Sequence, residues 1–216
     1  MNSRLKKNRQ ARDCRAQHPA GDMSLRALLF DAFASRPRPL AGQIVRAGVS
    51  PDESQRLREL LAAKTSTELP AADLRMVVES NLWMLTPEAF LYFLPAFLHA
   101  SLESYAAVSV FASELIGELT EPSRADVVEA LDRLDEASSE LSLPADLTAL
   151  LRKQQLEWFD AGSPTAIFHE RFDNVSQSEG AAILAFLNAF REAHGADFPF
   201  NELEMAIKRY WGRYSR

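Results

Sequence analysis

His99 and Glu103 stand four residues apart, a spacing that places an imidazole and a carboxylate on one helix face. Together they could move a proton or form one edge of a metal site. Tyr92 would complete an alternative polar site if its phenol is exposed beside them. Against this stands a simpler reading, an ion pair on the less apolar side of a core helix. A metal site needs three or four ligands, and nothing nearby in sequence adds to these two. The four histidines, His18, His99, His169 and His194, form neither an H-E-x-x-H pattern nor a Glu-x-x-His pair. No metal ligand is assigned.

Nucleophile and phosphate-binding patterns are missing as well. The chain has no G-x-S-x-G, no Walker loop and no G-x-G-x-x-G, and its eight glycines are mostly solitary. Cys14 is the one cysteine and lies outside any periodic segment, a poor place for a preorganised nucleophile. It can form neither an intramolecular disulfide nor a cysteine-based zinc site, which fits a reducing, cytoplasmic setting. We therefore assign no catalytic residue and no cofactor. The enzymes that leave no local mark are those built on carboxylates alone, so the alternative function is a hydrolase-like pocket of scattered carboxylates with His99.

The second group with chemical potential is acidic. Residues 121–140 hold Glu121, Asp126, Glu129, Asp132, Asp135, Glu136 and Glu140 against only Arg124 and Arg133. With Val128, Leu131 and Leu134 as the apolar stripe of a helix, most of these acids project outward. Asp126, Glu129, Asp132, Asp135 and Glu136 then form either a docking face for a basic protein partner or an ordinary solvated surface.

Charge limits the partners further. The chain carries a net −6, but residues 1–22 have six basic side chains against two acidic ones, a net of +4, so the remainder stands at −10. An acidic body repels nucleic acid and anionic membranes, and neither is expected as a partner. The aromatic and basic residues of Lys208–Arg216 suit a helix end whose Leu203, Ile207, Tyr210 and Tyr214 dock inward, with acids at its start and bases at its end matching the dipole. The basic segment 1–22 lacks a secretory h-region and is read as a disordered tail or an upstream extension, with Met23 as an alternative start.

Elements able to position these groups are helical. Hydrophobic residues make up 47% of the chain and charged ones 25%, enough apolar surface for one domain over 23–216. Start signals recur at Ser50-Pro51-Asp52-Glu53, Thr86-Pro87-Glu88, Ser123 with Asp126, Ser176 with Glu179, and Asn201 with Glu204. They predict about eight helices, near 24–34, 51–64, 71–84, 87–118 with a break, 123–139, 145–160, 177–194 and 201–213. Gln43–Val45 and Thr165–Phe168 are the only strand-like runs, too short to hold a domain. The class is all-α. Residues 89–116 are the most apolar stretch, interrupted by Pro95, His99, Glu103 and Glu114 before reaching membrane-spanning length. Pro95 should kink or break this helix near Leu91–Leu94.

The run Leu85-Thr86-Pro87-Glu88-Ala89-Phe90-Leu91-Tyr92-Phe93-Leu94-Pro95-Ala96-Phe97, with Ala181–Phe190 and Tyr210-Trp211, resembles a bacterial family known as a domain of unknown function with an L-T-P-E-A-F-x-Y-[FY]-L-P-A-[FY] core. The resemblance implies no activity and carries no catalytic residue across. The expected function is a non-enzymatic protein-interaction domain, of the inhibitor or immunity-protein kind, binding a basic partner.

Overall fold

Capping chemistry sets most of the element boundaries. The computed structural model describes residues 19–140 and 145–215. Ten α-helices occupy them: α1 (Pro19–Ala32), α2 (Pro51–Ala62), α3 (Ala71–Asp73, continued by a π-helical turn Leu74–Val78), α4 (Pro87–Glu103), α5 (Tyr105–Glu118), α6 (Arg124–Glu140), α7 (Ala145–Asp160), α8 (Ser163–Phe172), α9 (Gln177–His194) and α10 (Glu202–Arg209). Thr86 caps α4 by accepting the Ala89 N–H at 3.2 Å, and Ser176 and Glu179 close a reciprocal capping box on α9. Two expected boxes are not formed. Ser50 contributes only its carbonyl, which accepts from the Ser54 N–H and hydroxyl. Asn201 takes a left-handed backbone, φ 59°, and the Glu202 carboxylate accepts the Phe200 N–H instead.

The described chain begins in α1 at Pro19, so residues 19–22 belong to a helix rather than to the expected tail; residues 1–18, including Cys14 and His18, lie outside the described residues. Among the described residues there is no strand, only one antiparallel bridge between Val45 and Leu85. Thr165–Phe168 is helical, not extended. Gly162 (φ 79°) turns the chain, Pro164 sits in the first turn of α8, and helical spacing carries both Phe168 and Phe172 into the core.

The helix α4 is the centre of the core. Phe90, Phe93, Leu94 and Phe97 have no solvent exposure, and edge-to-face ring contacts join Phe97 to Phe111 of α5 at 5.5 Å and Phe90 to Phe172 of α8 at 5.8 Å. The helix runs through Pro95 unbroken, against the expectation of an interruption near Leu91–Leu94. Packing on every side holds the turn that lacks one backbone hydrogen bond. The interruption falls further on, at Ser104 (φ −121°, ψ 27°), and the backbone leaves helical geometry again at Val108. At the C-terminus the helix stops at Arg209. A 3-10 turn, Trp211–Tyr214, then buries Trp211, whose indole N–H donates to the Leu119 carbonyl at 2.7 Å.

Among the described residues, the continuous core contains none between Leu119 and Phe168. The helices α6 and α7 therefore pair as an arm outside it. Leu131 is buried, but Leu134, expected on the same stripe, is exposed. On one side polar contacts tie the arm down: Asp126 receives both guanidinium nitrogens of Arg209, and Arg133 lies 4.2 Å from the centre of the Phe200 ring. No described helix is long and apolar enough to cross a membrane.

Candidate functional site

The polar residues of α4 are only partly brought together. His99 Nε2 lies 3.0 Å from Glu103, as the four-residue spacing requires, and its ring meets the edge of Phe30 from α1. The pair borders a hollow of about 200 Å³ shared with Arg26, Ser66 and Thr67. Tyr92 lines no wall of it; its ring packs edge-on against Phe93. None of the acids of α6 reaches it, and among the described residues no group of three or more His, Cys, Asp or Glu could hold a metal ion. The imidazole and the carboxylate there share the hollow with a guanidinium and hydroxyl groups, but with no further carboxylate or imidazole.

Much of the acidic face is engaged within the chain. Asp126 is held by Arg209, Glu129 by Arg133 at 2.8 Å, and Asp132 and Asp135 by Arg152 of α7 at 2.5 and 2.7 Å. The Arg152 pairs join the arm's two helices and the Arg209 pair fastens its base, where Arg124 also meets Asp160 at 2.8 Å, while the Glu129–Arg133 pair lies within α6. Glu136 is exposed.

The larger opening lies on the other side of the arm, between it and the core. This cleft, about 740 Å³, is walled by Val127, Trp158 and Phe159 of the arm, by Gly117 and Glu118 of α5, by Ile167, Phe168 and Arg171 of α8, and by Leu82 and Trp83. Its surface is apolar, and two tryptophans stand half in solvent at its walls, Trp83 at 53% and Trp158 at 50% exposure. That volume falls within the range of ordinary ligand clefts.

Its floor is charged but closed. Arg171 is 1% exposed; it pairs with Glu118, donates to the Leu82 carbonyl at 3.3 Å and lies 4.1 Å from the centre of the Phe90 ring. Burial pulls its guanidinium below the ordinary arginine value; Glu118 opposes the shift and neighbouring Arg46 adds to it. Arg46 in turn bonds the Leu85 carbonyl at 3.0 Å and Glu170 at 2.8 Å. The Trp83 wall is set by a strained turn: Ser80 adopts φ 64°, and Glu114 accepts both its N–H at 2.7 Å and its hydroxyl at 3.2 Å. The Trp83 indole N–H then donates to the Ser80 carbonyl at 3.1 Å.

Sequence reasoning did not find this cleft. It is assembled from a helix read as a strand-like run and from tryptophans far apart in the chain, and no local spacing links Trp83, Trp158 and Arg171. The exposed face of α7, with Leu147, Leu150 and Trp158, was the available signal. No family model, curated protein or solved structure matches the chain significantly, so its function rests on this geometry.

Proposed function

We propose that the protein is a non-enzymatic, cytoplasmic interaction domain whose working surface is the cleft between the α6–α7 arm and the core. The observation that carries this reading is the pair of half-exposed tryptophans, Trp83 and Trp158, across an apolar opening of about 740 Å³. Leaving so much aromatic surface in water is unfavourable unless a guest covers it. The hollow at His99 and Glu103 is smaller, about 200 Å³, and neither tryptophan borders it.

A neutral apolar dye, N-phenyl-1-naphthylamine, tests this by the rise of its own directly excited emission on binding. Saturable binding is expected in the parent protein, weakened about tenfold in the double variant Trp83→Ala with Trp158→Ala, since a buried aromatic anchor contributes more than 1.4 kcal/mol. His99→Ala should bind as the parent does. Dye binding that ignores the tryptophans but is lost with His99 would move the site to the α4 hollow and reopen the enzymatic alternative.

A further inference from the structure

The formal charge of the protein is concentrated in the same arm. Residues 121–160 hold ten acidic and four basic side chains, a net −6, against a net −4 spread over the other 154 residues of the body 23–216. Ion pairs with Arg124, Arg133, Arg152, Lys153 and the body's Arg209 occupy some of the ten acids, yet the summed field of the arm remains negative.

Along α7 the apolar surface continues beyond the cleft. Leu147, Leu150 and Trp158 are all exposed and fall within about 80° of one another around the helix, with Gln154 between them. From Leu147 to Trp158 the stripe is about 16 Å long, three helical turns. Asp146 and Glu157, both exposed, flank one edge of it. A compact small molecule would cover the cleft but leave this stripe in water. A strand has no sheet edge to join among the described residues. A helix laid along α7 would place apolar anchors at successive turns on the stripe and in the cleft.

Resting on the reading of the cleft as a binding surface, we propose that its occupant is an amphipathic helix of a partner protein with lysine or arginine on its polar face. Its apolar side docks along Leu147, Leu150 and Trp158 into the cleft, and its bases lie over the acidic arm. Charge complementarity selects the partner and speeds encounter, while the tryptophans hold it.

The test uses a synthetic Leu/Lys amphipathic helix and a Leu/Glu helix of equal length, titrated into the full chain by fluorescence anisotropy of labelled peptide. The Leu/Lys peptide is expected to bind at least about tenfold more tightly than the Leu/Glu peptide at low salt. Trp158→Ala should weaken it by a similar factor, and the triple variant Glu136→Gln, Asp146→Asn, Glu157→Gln should weaken it severalfold and flatten its salt dependence. Equal affinity for both peptides, lost in Trp158→Ala, leaves the cleft as the binding surface and overturns the cationic occupant. Leu/Lys binding that survives Trp158→Ala is general charge attraction and overturns docking in the cleft by this helix. Binding of neither peptide, while N-phenyl-1-naphthylamine still binds through the tryptophans, overturns the helical occupant alone. If the dye fails as well, both readings fall.

Discussion

At the scale of single residues, two glycines in helices show opposite constraints. A Cβ on Gly180 would come within 2.4 Å of the Tyr214 ring, whereas one on Gly117 would meet nothing within 4 Å. Gly180 lets the C-terminal turn lie flat on α9, and nothing packs on Gly117. Gly180→Ala should therefore destabilise by about 1–3 kcal/mol through overpacking. Gly117→Ala should be neutral or stabilise by up to about 1 kcal/mol, since alanine is the better helix former. Chemical denaturation of the two variants checks the contrast. A second residue-scale constraint is the Glu179 carboxylate, buried at 2% exposure, bonded to Arg36 at 2.6 and 2.8 Å and to the Ser176 N–H at 2.7 Å. Burial pushes its carboxyl up, but the bonds from Arg36 and Ser176 outweigh burial and hold it below the ordinary carboxylate value. A depressed folded-state value contributes stability that is complete above about pH 4.3, the ordinary glutamate value, and is lost as pH falls through the folded one. Acid unfolding of Glu179→Gln should lack that part of the pH dependence. Arg36→Ala, which leaves the carboxylate buried and unpaired, should cost about 2–4 kcal/mol near neutral pH.

At the scale of elements, α4 and the arm differ in what holds them. Phe93 and Phe97 stack at 6.3 Å within a helix surrounded by neighbours, and each truncated to alanine should cost about 3–5 kcal/mol in denaturant unfolding. In the arm, Asp132 and Asp135 are joined to Arg152 at partly exposed sites, where such pairs contribute about 1 kcal/mol or less. Reversing both to lysine gathers three cations on one seam. The expected result is faster hydrogen exchange in α6 and α7 with core protection unchanged, and a global loss of stability instead would show that the arm is part of the core after all. The helices readable from sequence were those with a cap and a wide apolar face. Thr86 before α4, and Ser176 with Ile183, Phe186, Leu187 and Phe190 in α9, placed both elements. Where local and tertiary demands diverge, sequence reading fell short. Four consecutive residues, Thr165–Phe168, look extended until Phe172 is known to share their core-facing side. The missing N–H of Pro95 predicts a break that surrounding phenylalanines prevent, and Asn201 has a capping side chain but a left-handed backbone.

At the scale of the whole molecule, a phenylalanine-rich core carries an arm that lies outside it and holds a net −6 of the −10 borne by residues 23–216. Composition exposed the acidity of 121–140, but not that Asp132 and Asp135 pair with Arg152 of α7 and Asp126 with Arg209. The pairing of α6 with α7 and the cleft beside them depend on contacts between distant segments, which no spacing within one helix reports. Asp126 with Arg209 and Arg133 with Phe200 fasten one side of the arm, α7 packs against α8, and on the side of Trp83 the arm meets the core across the cleft. The proposed function places the guest between arm and core. Amide chemical-shift mapping by NMR with the Leu/Lys helix tests that claim most directly. Perturbations should concentrate at Leu82–Met84, at the end of α5, along α7 from Leu147 to Trp158 and at the start of α8; shifts confined to α1 and the His99 turn of α4, or none at saturating peptide, would contradict it.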